Sequence, residues 1–126
     1  MDETQIWLRI AKSNLSLGSS HKLLSDDVRY EELCFELQQC VEKSLKALLV
    51  YHGIEFPKIH IISDLLTLLQ NNHIEIREDI FDAVNLTQYA VKARYPDDFR
   101  VLNENDYDEA VKIAERVYKW VSEQIA

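Results

Sequence analysis

Apolar residues in this chain return every three or four positions in five separate stretches, and no stretch alternates convincingly with the two-residue rhythm of a half-buried strand. From about Thr4 to Leu24 two neighbouring stripes run together, Ile6, Ile10 and Leu17 beside Trp7, Ala11 and Leu15. Gly18 interrupts them. It either sits inside the helix at a cost of about 1 kcal/mol relative to Ala or ends it early. Ser25-Asp26-Asp27 offers N-capping oxygens to a second helix, about Val28 to His52, with the stripe Tyr30, Cys34, Leu37, Val41, Leu45, Leu48 and His52. Gly53 supplies its stop.

The loop GIEFPKIH leads into a short third helix, about Ile61 to Gln70, built on Leu65, Leu66, Leu68 and Leu69 and broken by Asn71-Asn72. A fourth, about Glu78 to Arg94, has acids in its first turn and the series Ile80, Val84, Thr87 and Val91, and it stops at Pro96. The last runs from about Asp106 to Gln124, capped by Asn103 or Asn105, with Tyr107, Ala110, Ala114, Val117, Val121 and Ile125 at helical spacing. The pattern predicts an all-α fold: an up-and-down antiparallel helical bundle of four long helices and one short one.

Composition narrows this to one domain over residues 1–126. At 126 residues roughly 65% of the unfolded chain's surface can be buried. The apolar content of 47%, with two Gly and two Pro, is that of an ordered domain. No apolar run reaches the roughly 18 to 20 residues of a membrane span. The opening MDETQIWLRI places acids where a signal peptide carries basic residues, so the expected location is cytoplasmic, with no membrane partner. Cys34 and Cys40 stand about 9 Å and 120° apart on one helix, too far for a disulfide, and are expected as free thiols.

A net charge of −8 argues against general DNA or RNA coating, which draws on clustered Lys and Arg. It leaves room for one local basic pocket. With two glycines in the chain no glycine-rich phosphate cradle can form, and the four histidines show no HxxxH or HExxH spacing, so no metal site and no cofactor are expected.

Polar residues that interrupt the apolar stripes are the remaining candidates. Gln38 and Glu42 fall within about 60° of the second helix's buried direction, and Lys46 lies one turn after Glu42, in reach of it. The three either form a polar border closing over the bundle or line a pocket. Lys43 projects almost opposite the core. Extending the fourth helix's stripe brings Arg94 into the groove between helices; the same residue equally suits a helix end, where a cation complements the dipole and Tyr95-Pro96 stops the chain. His60, at the start of the third helix, is either a cap and loop contact or a functional imidazole. The six acids between Asp97 and Glu109, against Arg100 alone, read as a solvated loop and helix start.

WLRIAKSNL, ELQQCVEKSLKALLVYHG, His60 before DLLTLL, and VKARYPDDF, taken in that order over nearly the whole length, resemble the HEPN domain family. The resemblance implies a helical bundle that forms homodimers. It also implies a small nucleotidyltransferase as partner, in a toxin and antitoxin pair or a nucleotide-handling complex. Some members of the family are metal-independent RNases with Arg, four to six residues, then His. Here the positions after Arg94 hold Phe99, Arg100 and Val101, and the ribose 2′-hydroxyl lacks its usual base. The expected function is therefore a binding module for a nucleotide, RNA or the nucleotidyltransferase. Arg94 would pair with phosphate, Tyr95 stack on the ligand or form a wall, and His60 and Lys46, bordered by Glu42 and Gln38, add donors. The alternative is an RNase toxin with a rearranged site built from Arg94 and His60.

Overall fold

A computed structural model describes residues 1–21, 25–90 and 101–126, and among these the only regular structure is helical, with no strand. The elements are α1 (Glu3–Gly18), α2 (Tyr30–Tyr51), α3 (Ile62–Asn71), a 3₁₀ helix (Glu78–Tyr89) and α4 (Glu104–Ile125). They form the up-and-down bundle expected of the apolar periodicity.

α2 is the axis of the bundle and touches all four other elements. Its expected stripe is buried from Cys34 to Leu48, and so are residues on almost every other side, including Leu33, Ala47 and Leu49. A helix enclosed this way is the packed centre rather than a two-faced surface element. Its N-terminus is not capped by Ser25-Asp26-Asp27: Arg29 occupies the cap position without a side-chain cap bond. Ser25 and Asp27 bond each other instead, closing a turn upstream.

α1 lies against α2 along Trp7, Ala11, Leu15 and Gly18. The companion stripe is not core, since Ile6, Ile10 and Leu17 remain exposed. Both stripes have helical spacing, and only one can face α2. Gly18 is the last residue of the helix, and packing leaves no room for a side chain there. A Cβ there would meet Leu37 Cγ and Cδ2 at 2.7 Å and the Leu33 carbonyl at 3.1 Å. The backbone continues into Ser19, whose amide returns to the Leu15 carbonyl at 2.9 Å, and Ser20, whose amide donates to the Leu17 carbonyl at 3.4 Å.

The fourth element departs from expectation in its winding. Its buried residues, Ile80, Ala83 and Leu86, recur every third position, whereas Val84, placed in the stripe by α-helical spacing, is exposed. Three residues per turn is 3₁₀ geometry, and twelve residues of it is long against the usual three or four. Tertiary contacts hold it: it packs on α2, α3 and α4. Arg116 of α4 also donates to the Asp79 carbonyl and the Asp82 carboxylate, both at 3.1 Å.

α4 begins at a reciprocal cap. Asn103 accepts from the Asp106 amide at 2.8 Å, and the Asp106 side chain accepts from the Asn103 amide at 3.1 Å, which settles the choice between Asn103 and Asn105. Tyr107 and its successors face inward as the spacing requires. The Tyr107 hydroxyl donates to the Gly18 carbonyl at 2.6 Å, tying α4 to the end of α1. Cys34 and Cys40 are buried free thiols, and burial is the main cause that pushes each up to about 12. No helix among the described residues is long and apolar enough to cross a membrane.

Candidate functional site

The polar interruptions of α2 are buried outright. Gln38, Glu42 and Lys46 are 0%, 1% and 4% exposed, deeper than a border would be. Successive members lie one turn apart, about 6 Å along the axis, so they form a polar strip down one side of the central helix. Such a strip requires internal partners, because a charge removed from water without a counter-charge is strongly destabilising.

Glu42 holds the strip together. Its Oε2 accepts from Lys43 Nζ at 2.8 Å and Lys46 Nζ at 3.1 Å. Lys43, expected on the far side of the helix, folds back to make the shorter of the two bonds. Burial pushes the Glu42 carboxyl up; the hydrogen bond from Lys43 and the charges of both lysines outweigh it and hold the group below the ordinary carboxylate value.

His60 does not open α3; Ile61 is its cap residue. His60 comes from the preceding loop and brings Nδ1 to 3.4 Å from both Glu42 oxygens, while most of its side chain stays in solvent. The approach to Oε1 lacks hydrogen-bond geometry. Oε1 therefore has no partner, and neither has the buried Nε2 of Gln38, whose Oε1 accepts from Gln39 at 2.7 Å. A donor and an acceptor thus stand one turn apart, desolvated and unsatisfied.

Two aromatic rings complete the surroundings. Trp7 of α1 lies 5.7 Å from Lys46 Nζ and 5.9 Å from Lys43 Nζ, and Phe56 lies 6.0 Å from Lys46 Nζ, all within cation–π range. Trp7, Phe56 and Lys43 were not singled out by sequence spacing. They arrive from a helix stripe, a loop and the outward side of α2, and the only hint was that Trp7 stands in an apolar stripe and Phe56 beside Pro57.

Four sequence candidates, Gln38, Glu42, Lys46 and His60, come together in this cluster. Arg94 and Tyr95 lie outside the described residues. The α-helical register that carried the stripe toward Arg94 is not the register observed through Tyr89. Among the described residues no group of three or more His, Cys, Asp or Glu is arranged to hold a metal ion. The cluster brings the Lys43 ammonium and the His60 imidazole to the surface, and it holds Gln38 Nε2 and Glu42 Oε1 as a buried donor and acceptor.

Comparison with known proteins adds the lineage. Residues 4–124 match the HEPN domain. An archaeal HEPN homologue, ST0689, is similar in structure with a TM-score of 0.78 and 33% identity, covering 100% of both chains. TT1696 from Thermus thermophilus is similar with a TM-score of 0.80 and 29% identity, covering 98% of each. No curated protein matches the chain.

Proposed function

The chain belongs to the HEPN domain family, and from that premise we propose that it is a nucleotide-binding module. In this reading it works in the cytoplasm as a homodimer beside a small nucleotidyltransferase, in a toxin–antitoxin type pair, without RNase activity of the family's usual motif. One observation carries the binding part: Glu42 is buried with two lysines on one oxygen, one turn from the unpartnered Nε2 of Gln38. Apolar residues of similar volume often stabilise a core at least as well as a buried ion pair, so stability alone does not account for the cluster.

Two ammonium groups against one carboxylate leave local positive charge in a chain of net charge −8. Lys43 and His60 reach the surface and supply donors for phosphate oxygens. Arg94 and Tyr95 join them in this proposal as phosphate partner and wall, on the strength of the family resemblance.

Calorimetry with ATP, GTP and a short RNA tests the reading, together with co-purification of a neighbouring nucleotidyltransferase. Micromolar nucleotide binding that weakens in Lys43→Ala supports it. Absence of binding to all three, with no co-purifying partner, removes it.

One observation favours a second reading, a metal-independent RNase. His60 turns Nδ1 toward a buried carboxylate and leaves most of its ring in solvent, the arrangement of an oriented general base. Metal-free RNA cleavage abolished by both His60→Ala and Arg94→Ala is its signature.

A further inference from the structure

The polar cluster accounts for phosphate and leaves the rest of a nucleotide without a place. Beside it, between the start of α1 and the loop after α2, is a cleft of about 530 Å³, within the roughly 300–1,000 Å³ of small-molecule sites. Trp7, Phe56, Val50 and Ile54 wall it, and Glu3 and Glu55 stand on its border. The Trp7 and Phe56 rings are 6.4 Å apart and inclined at 60°, so a flat ligand stacked on one meets the other edge-on.

The cleft and the charged cluster share their walls. The two rings that line the cleft are also the rings that lie against the Lys43 and Lys46 ammonium groups. Val50, Lys46 and Glu42 follow one another at single-turn intervals. The cleft floor at Val50 is therefore about 12 Å along α2 from Glu42, while the Lys43 ammonium lies only 5.9 Å from the Trp7 ring, in reach of the phosphates of a nucleotide whose base stacks there. Glu3 and Glu55 fix the polarity, because carboxylates at the cleft repel phosphate and favour its exit toward the lysines.

We infer that the Trp7–Phe56 cleft is the base subsite of a nucleoside 5′-phosphate, whose phosphates run along α2 to Lys43 and His60. The inference rests on the nucleotide-binding reading and deepens it. Recognition is by stacking on aromatic faces, which every base can satisfy, so purine and pyrimidine nucleotides both bind.

The test uses the Trp120→Phe chain, in which Trp7 is the single tryptophan, titrated with ATP, UTP and inorganic tripolyphosphate by fluorescence and calorimetry. Both nucleotides quench Trp7 emission saturably, and tripolyphosphate binds without comparable quenching. Trp7→Leu and Phe56→Ala each weaken nucleotide binding about 5- to 150-fold, the range of one lost stacking contact, and weaken tripolyphosphate binding far less, because the rings also lie against the Lys43 and Lys46 ammonium groups. The retained tripolyphosphate binding also reports that the variants are folded. Lys43→Ala weakens all three ligands. Nucleotides that bind with Trp7 emission unaltered, and equally well to both aromatic variants, overturn the base subsite while the nucleotide reading stands. Equal quenching by tripolyphosphate overturns it too. No binding of any of the three by the parent chain overturns the subsite and the reading together.

Discussion

Gly18 and Leu37 approach so closely that a Cβ on the glycine would lie 2.7 Å from both Cγ and Cδ2 of the leucine. In most helices replacing Gly by Ala is worth up to about 1 kcal/mol of added stability. Here the sign reverses. Gly18→Ala forces α1 away from α2 and costs roughly 1–3 kcal/mol, as overpacked cores do. Urea denaturation reads this as a lower midpoint, and adding Leu37→Val restores part of the loss. A midpoint at or above that of the parent contradicts the close approach.

The last helix begins at Asn103. Asn103→Ala removes the acceptor for the Asp106 amide and lowers stability by about 0.5–2 kcal/mol, whereas Asn105→Ala, inside the first turn, changes it little. Parallel thermal melts of the two variants separate them.

Removing one partner of the buried ion pair is worse than removing both. Glu42→Gln strands Lys46 at 4% exposure without a counter-charge, a loss of about 3–5 kcal/mol. The pair Glu42→Gln with Lys46→Met recovers most of it, so the double variant is more stable than the first change alone. Because the folded carboxyl titrates below its ordinary value, its contribution is present at neutral pH. As pH drops below about 5 the unfolded carboxyl, near 4.3, takes up its proton first. Stability then declines until the folded carboxyl protonates as well. The variants lacking Glu42 lose this acid limb in pH-dependent unfolding.

Alkali acts through the thiols. Cys34 and Cys40 ionise near their ordinary value of 9.0 once unfolded, and at about 12 when folded. Protons held by the folded state make stability fall as pH rises, by about 1.4 kcal/mol per pH unit for each thiol between those values. Tyr107, raised chiefly by burial, adds a loss of the same sign above its ordinary value near 10. Unfolding followed from pH 8 to 11 shows the decline, and Cys34→Ala with Cys40→Ala flattens it.

The sequence disclosed these elements unevenly. α4 was legible because its apolar residues fit one helical face with little competition, and α2 because its stripe from Cys34 to Leu48 keeps helical spacing although residues on nearly every other side are buried too. In α1 two stripes fit equally well, and nothing in the spacing says that Ile6, Ile10 and Leu17 stay outside. Ile80, Ala83 and Leu86 are compatible with either winding, so tertiary packing decides it. The polar cluster was half visible. Gln38, Glu42 and Lys46 stood out as polar breaks in an apolar stripe, but their depth depends on neighbours that enclose α2 on nearly all sides. Lys43, Trp7 and Phe56 could not be connected, because three separate elements bring them together.

The winding of Glu78–Tyr89 makes this part of the chain count in triplets. Deleting one residue inside it turns everything downstream by about 120° and carries Leu86 off the inward face, whereas deleting three shortens it by about 6 Å and leaves the same face toward α2. Length changes here are quantised, so relatives that differ in this stretch are expected to differ by whole turns of three.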